Sequence, residues 1–183
     1  MSEYADRFKR IAADFSRRVD AVPAEAWDNP APCEGWLARD VVGHLVEWVP
    51  SFLQNYAGVD LPSLPATRDD PVKAWHELRE ALEATLADEA VSAREFDNPG
   101  GRMTVGQAID QLITNDVFLH TWDLARATGL DETLDPGEAR QMLAGMEQYD
   151  EALRSSGQYG PRVEVPDDAD DQTKLIAFIG RHP

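Results

Sequence analysis

The sequence predicts an all-α protein built as a helical bundle, on three observations. Apolar residues recur at the three- and four-residue spacing of one helical face in segment after segment. Pro, Gly and Asp punctuate the gaps between those segments, where helices start and stop. Neither an internal repeat nor the sustained alternation of a half-buried strand occurs anywhere in the 183 residues.

Residues 3–20 place Phe8, Ile11, Phe15 and Val19 on one face and predict a first helix ending before Pro23. "AEAWDNPAPCEG" is a connector, broken by Pro30, Pro32 and Gly35. From Leu37 to about Tyr56 a second helix carries Leu37, Val41, Leu45, Trp48 and Phe52 on one face, and His44 falls among them. The Pro-rich "GVDLPSLPATRDD" is a loop, with Asp70 as N-cap and Pro71 at the first position of a third helix through Trp75, Leu78, Leu82 and Leu86. Residues 94–103, with "NPGG", read as an irregular loop containing a short extended piece.

The fourth helix spans 104–129, opened by a Thr104/Gln107 capping box and closed at Gly129, with Val105, Ile109, Leu112, Ile113, Val117 and Leu124 inward. Asp135 and Pro136 open a fifth, with Met142, Met146, Tyr149 and Leu153 inward and Gly157 near its end. The segment "YGPRVEVPDDADDQ" is extended or looped, and a short last helix carries Leu175, Ile176, Phe178 and Ile179. Loops that allow antiparallel return imply a bundle with four long helices at its heart and shorter ones against it.

The length suits one domain, residues 1–183. Acidic residues outnumber basic ones 34 to 17, giving a net charge of −17, and the basic residues are scattered. A nucleic-acid backbone would be repelled. No apolar run approaches a membrane span, and "MSEYADRFKR" lacks a secretory core, so a cytoplasmic protein is expected. Cys33 is the only cysteine, which excludes an intramolecular disulfide and a Cys-based zinc knuckle. A metal site would have to use His and carboxylates.

Asp116 and His120 interrupt the oily face of the fourth helix at one-turn spacing, so both can point at one object. A carboxylate buried alone is costly and must find a partner or a proton. One reading is a buried hydrogen-bonded pair. The other adds His44, on the inward face of a second helix. Two imidazoles and a carboxylate suit a first-row divalent ion and leave a coordination position for water or substrate. Zinc is the first choice, with nickel, iron and manganese allowed by the same ligands.

"PCEGWLARDVVGHLVEW" (32–48), "NDVFLHTWDLARATG" (115–129) and the tail "YGPRVEVPDDADDQTKLIAFIGRHP" together resemble the actinobacterial metal-binding proteins of the DinB/YfiT-like superfamily, related to the N-terminal domain of mycothiol-dependent maleylpyruvate isomerase. The resemblance covers nearly the whole chain. It implies a DinB-like four-helix bundle and a divalent metal, usually zinc, on His, an acidic residue and His, positions that match His44, Asp116 and His120. It further implies a low-molecular-weight thiol, mycothiol or bacillithiol, activated as a thiolate toward a small electrophile, as in a transferase. The isomerase pattern has Glu where this chain has Asp116, and its separate C-terminal domain does not follow Pro183, so maleylpyruvate isomerisation itself is not expected.

Other residues have ordinary explanations beside the functional ones. Cys33 is by default a small buried hydrophobe. Trp36, Trp48 and Trp122 are either core or pocket wall. Asp123 and Arg126 either orient a ligand imidazole or form a surface ion pair, and Glu47 lies one turn from His44 as an unsupported general base. His76 and His182 stay outside the site. A non-catalytic metal- or ligand-binding bundle is the alternative to a thiol-using enzyme, and the amphipathic faces serve a homodimer as well as a monomer.

Overall fold

Several of the helices begin where a side chain serves their orphan N–H groups. The computed structural model describes residues 2–155, 157 and 159–183. Helix α1 runs Glu3–Ala21, capped by the Ser2 side chain, and a short 3-10 turn follows at Ala24–Asp28. Helix α2 is Ala38–Ala57, and α3 is Pro71–Ala87, with the Asp70 side chain accepting from the Lys73 N–H at 2.9 Å. A single turn, α4 (Glu89–Ser92), leads into strands β1 (Glu95–Asn98) and β2 (Gly101–Thr104).

The short extended piece expected within the loop at 94–103 is a pair of strands, which corrects only the irregular character expected there. They pair antiparallel, Glu95 opposite Thr104 and Phe96 opposite Met103. The turn is held by Asn98, which donates to the Gly101 carbonyl and accepts from the Gly100 N–H, both at 2.8 Å. A strand pair this short leaves no alternating pattern long enough to read.

The expected fourth helix is three pieces: α5 (Val105–Ala108), a π-helical turn (Ile109–Ile113) and α6 (Thr114–Thr128). Its ends are as the sequence indicates, with a reciprocal Thr104/Gln107 capping box and Gly129 left-handed at φ 70°. The π turn holds one extra residue and rotates the downstream helix α6 by about 100° relative to an uninterrupted helix. Leu112, inside the π turn and expected inward, is 37% exposed, while Ile109, Ile113, Val117 and Leu124 are fully buried.

The described residues divide into two compact units. In the first, residues 2–31 and 35–131, α1 packs on α3 and α6, and α2 on α3 and α6. Phe8, Phe15, Leu45, Leu78, Leu82 and Trp75 fill the interior, each large apolar side chain contributing roughly 1.5–3 kcal/mol on burial. Phe15 meets the edge of Trp75 at 4.6 Å, and the Trp75 indole donates to Ser16 Oγ at 2.9 Å.

The second unit, residues 32–34 and 132–183, holds α7 (Pro136–Glu147), α8 (Asp150–Ser155) and α9 (Asp171–Phe178), with α7 packed on α9. The expected single fifth helix stops at Glu147. Tyr149, expected inward, is exposed, and Met146 and Leu153 are half-buried. The chain turns at Gln148 and Tyr149, so Leu153 belongs to a separate helix with its own face.

Candidate functional site

All three proposed ligand residues lie within the first unit. The four-residue spacing places Asp116 and His120 one above the other on α6, and the packing of α2 against α6 brings His44 opposite. One ligand-capable atom from each of His44, Asp116 and His120 lies within 4.8 Å of the others. The His44 Nε2 is 3.1 Å from Asp116 Oδ2, and the His120 Nε2 is 3.4 Å from Asp116 Oδ1. Each carboxylate oxygen thus faces a different ring.

Two further side chains orient these groups. The Trp48 indole, one turn after His44, donates to Asp116 Oδ2 at 2.9 Å. Asp123, one turn after His120, has a fully buried side chain whose Oδ2 is 2.9 Å from His120 Nδ1. An ionised carboxylate only accepts, so the Nδ1 carries the proton. The other ring nitrogen, Nε2, then faces Asp116. Two imidazole nitrogens and two carboxylate oxygens converge there, with the Trp48 N–H as one donor among them. The donor set fits a divalent cation on that chemical ground.

Exposure differs sharply across the cluster. The His44 side chain is 33% exposed and Asp116 24%, against 7% for His120. Burial alone would push the Asp116 carboxyl up. The charge of His120, the hydrogen bond and charge of His44 and the Trp48 N–H outweigh it, holding the carboxyl below its ordinary value of 3.8.

Trp36 covers both rings, with centroids 5.1 Å from His44 and 5.8 Å from His120. A groove of about 730 Å³ is lined by Trp36, His44 and Glu47 and, from the loop after α2, by Leu61, Pro65 and Arg68. That loop approaches α2 closely at Gly43, where an added Cβ would lie 3.1 Å from Thr67 Oγ1. Only a residue without a side chain leaves this approach undisturbed.

The π turn leads directly into the helix that carries Asp116. Arg7 of α1 braces it, donating to the Asp110 carbonyl at 2.8 Å, the Asp110 carboxylate at 2.9 Å and Asn115 Oδ1 at 2.8 Å. Nothing in the local sequence announces this contact, because the partners lie more than a hundred positions apart. Trp48 stands one turn from His44, which places it near the site, while its donation to Asp116 is seen only in the structure.

The remaining residues sort plainly. Trp122 is core, with the exposed Arg126 guanidinium 4.6 Å over its ring. Cys33 is buried in the second unit, where its sulfur accepts from Arg181 at 3.0 Å. His76 contacts Asp20 at 2.7 Å on the surface, and His182 is exposed.

The family model described as mycothiol maleylpyruvate isomerase N-terminal domain matches residues 8–125. The chain belongs to that family. Two relatives from Mycobacterium tuberculosis, strains CDC 1551 / Oshkosh and H37Rv, are each 30% identical over 184 residues, spanning 94% of this chain and 94% of their own. Both are described as uncharacterized proteins. No solved structure matches. The helical architecture is the DinB-like all-α fold, with the β1–β2 pair as the sheet of the described residues. No helix among them is long and apolar enough to cross a membrane.

Proposed function

We propose that this chain binds a divalent metal through His44, Asp116 and His120, zinc first, and is an enzyme that uses a low-molecular-weight thiol of the mycothiol kind on a small electrophilic substrate. The observation that carries the reading is the convergence of two imidazole nitrogens and a carboxylate, with His120 fixed from behind by Asp123. When bound, the cation supplies a Lewis acid that favours the deprotonated form of a thiol sulfur.

The chain's own groups divide the remaining work. Trp48 donates to one oxygen of Asp116 and so restrains the carboxylate that would serve as a ligand. Trp36 screens the two rings from water on one side. The groove brings a small molecule alongside His44, the most exposed of the three, with Glu47 on its wall. The family's link to mycothiol supports the thiol, and the excess of acid argues against a nucleic-acid partner. The reaction belongs in the cytoplasm, where such thiols are kept reduced.

A second reading, a non-catalytic metal-binding bundle, draws on the burial of His120 and Asp123. The two separate on whether a thiol reaches the ion. Cobalt-substituted protein titrated with 2-mercaptoethanol should develop a sulfur-to-cobalt charge-transfer band. Cobalt bound with no such band at millimolar thiol would favour the non-catalytic bundle and overturn the thiol chemistry.

A further inference from the structure

We infer that Asp123 is a positioning residue for the proposed metal site, an inference that rests on the reading of His44, Asp116 and His120 as ligands. Asp123 stands behind His120, away from the groove lining, and acts through that ring. Its side chain is wholly inaccessible to water, and its Oδ2 meets His120 Nδ1 at 2.9 Å. A buried carboxylate on a helix is costly, and its cost is offset here by a charge-assisted bond to the ring.

That bond has two consequences. It assigns the ring proton to Nδ1, which leaves Nε2 as the only nitrogen of His120 able to bind a cation. It also stops rotation of the ring about its terminal torsion, which is broad and poorly restrained in an isolated side chain. Both consequences hold Nε2 facing Asp116 before any ion arrives.

Charge gives an independent argument. The carboxylates of Asp116 and Asp123 flank the His120 ring, 3.4 Å from Nε2 and 2.9 Å from Nδ1, so both attract a cation held by that ring. Removal of the Asp123 charge should weaken the ion's hold, although Asp123 acts from behind the ring rather than as a ligand.

The test is zinc affinity by chelator competition on full-length protein, with apo-protein melting temperature measured alongside. Asp123→Asn should weaken zinc binding about tenfold and Asp123→Ala about a hundredfold, the range for outer-shell partners of a ligand histidine. In a His120→Ala background, Asp123→Asn should have little further effect, a coupling that a merely structural Asp123 would not show. Equal affinity in wild type and Asp123→Asn, or full additivity with His120→Ala, would overturn the inference. Should Asp123→Ala fail to fold, the Asn variant and the coupling decide. No zinc binding by wild type would instead overturn the proposed function itself.

Discussion

His76 on α3 sits 2.7 Å from Asp20 on α1, a shorter contact than Asp116 makes with either His44 at 3.1 Å or His120 at 3.4 Å. Yet the surface pair is one ring against one carboxylate that is 53% exposed, screened by water and salt. Around Asp116, two rings face two oxygens of one carboxyl, an indole donates to it, and a buried second carboxylate stands behind one ring. Contact distance does not distinguish the two places. What differs is how many groups converge and how little water reaches them.

The largest expected effect breaks the buried cluster directly. Asp116→Ala should lower zinc affinity by more than about a hundredfold, since even an outer-shell loss costs ten- to a hundredfold, whereas Asp20→Ala should leave it unchanged. Chelator competition reads both. Trp48→Phe keeps the ring's bulk and deletes its donor to Asp116 Oδ2; a bond to a charged group of this kind supports a loss of about tenfold. An unchanged affinity would mean that the indole does not orient the carboxylate.

Acid sharpens the comparison in metal-free protein. The Asp116 carboxyl is held below its ordinary value, so its contribution to stability is fully present above the unfolded-state value and is lost as pH falls through the lower, folded-state one. Urea unfolding from about pH 5 downward should therefore cost wild type more stability than Asp116→Asn. The smallest effect belongs to the surface: His76→Gln should shift stability by less than about 1 kcal/mol and leave metal binding untouched.

Much of this is legible in the residues alone. The caps at Asp70, Thr104, Gly129 and Asp135 announce their helix ends because capping is local chemistry. The facing of His44 and Asp116 follows from inward positions on two bundle helices. The π turn is not legible, because a widened turn leaves the residue order unchanged and its contact with Arg7 comes from a distant part of the chain. For the same reason the periodicity places Leu112 inward when it is exposed. The roles of Asp123 and Trp48 need distances, which separate a contact with the ligand set from an ordinary core or surface position.

Elemental mass spectrometry of protein purified without chelator, beside His44→Ala, tests the central claim most directly. About one divalent ion per chain in wild type, lost in the variant, is the expected result. Metal absent from both after zinc and nickel reconstitution would contradict the account and leave Asp116 and His120 as a buried polar pair.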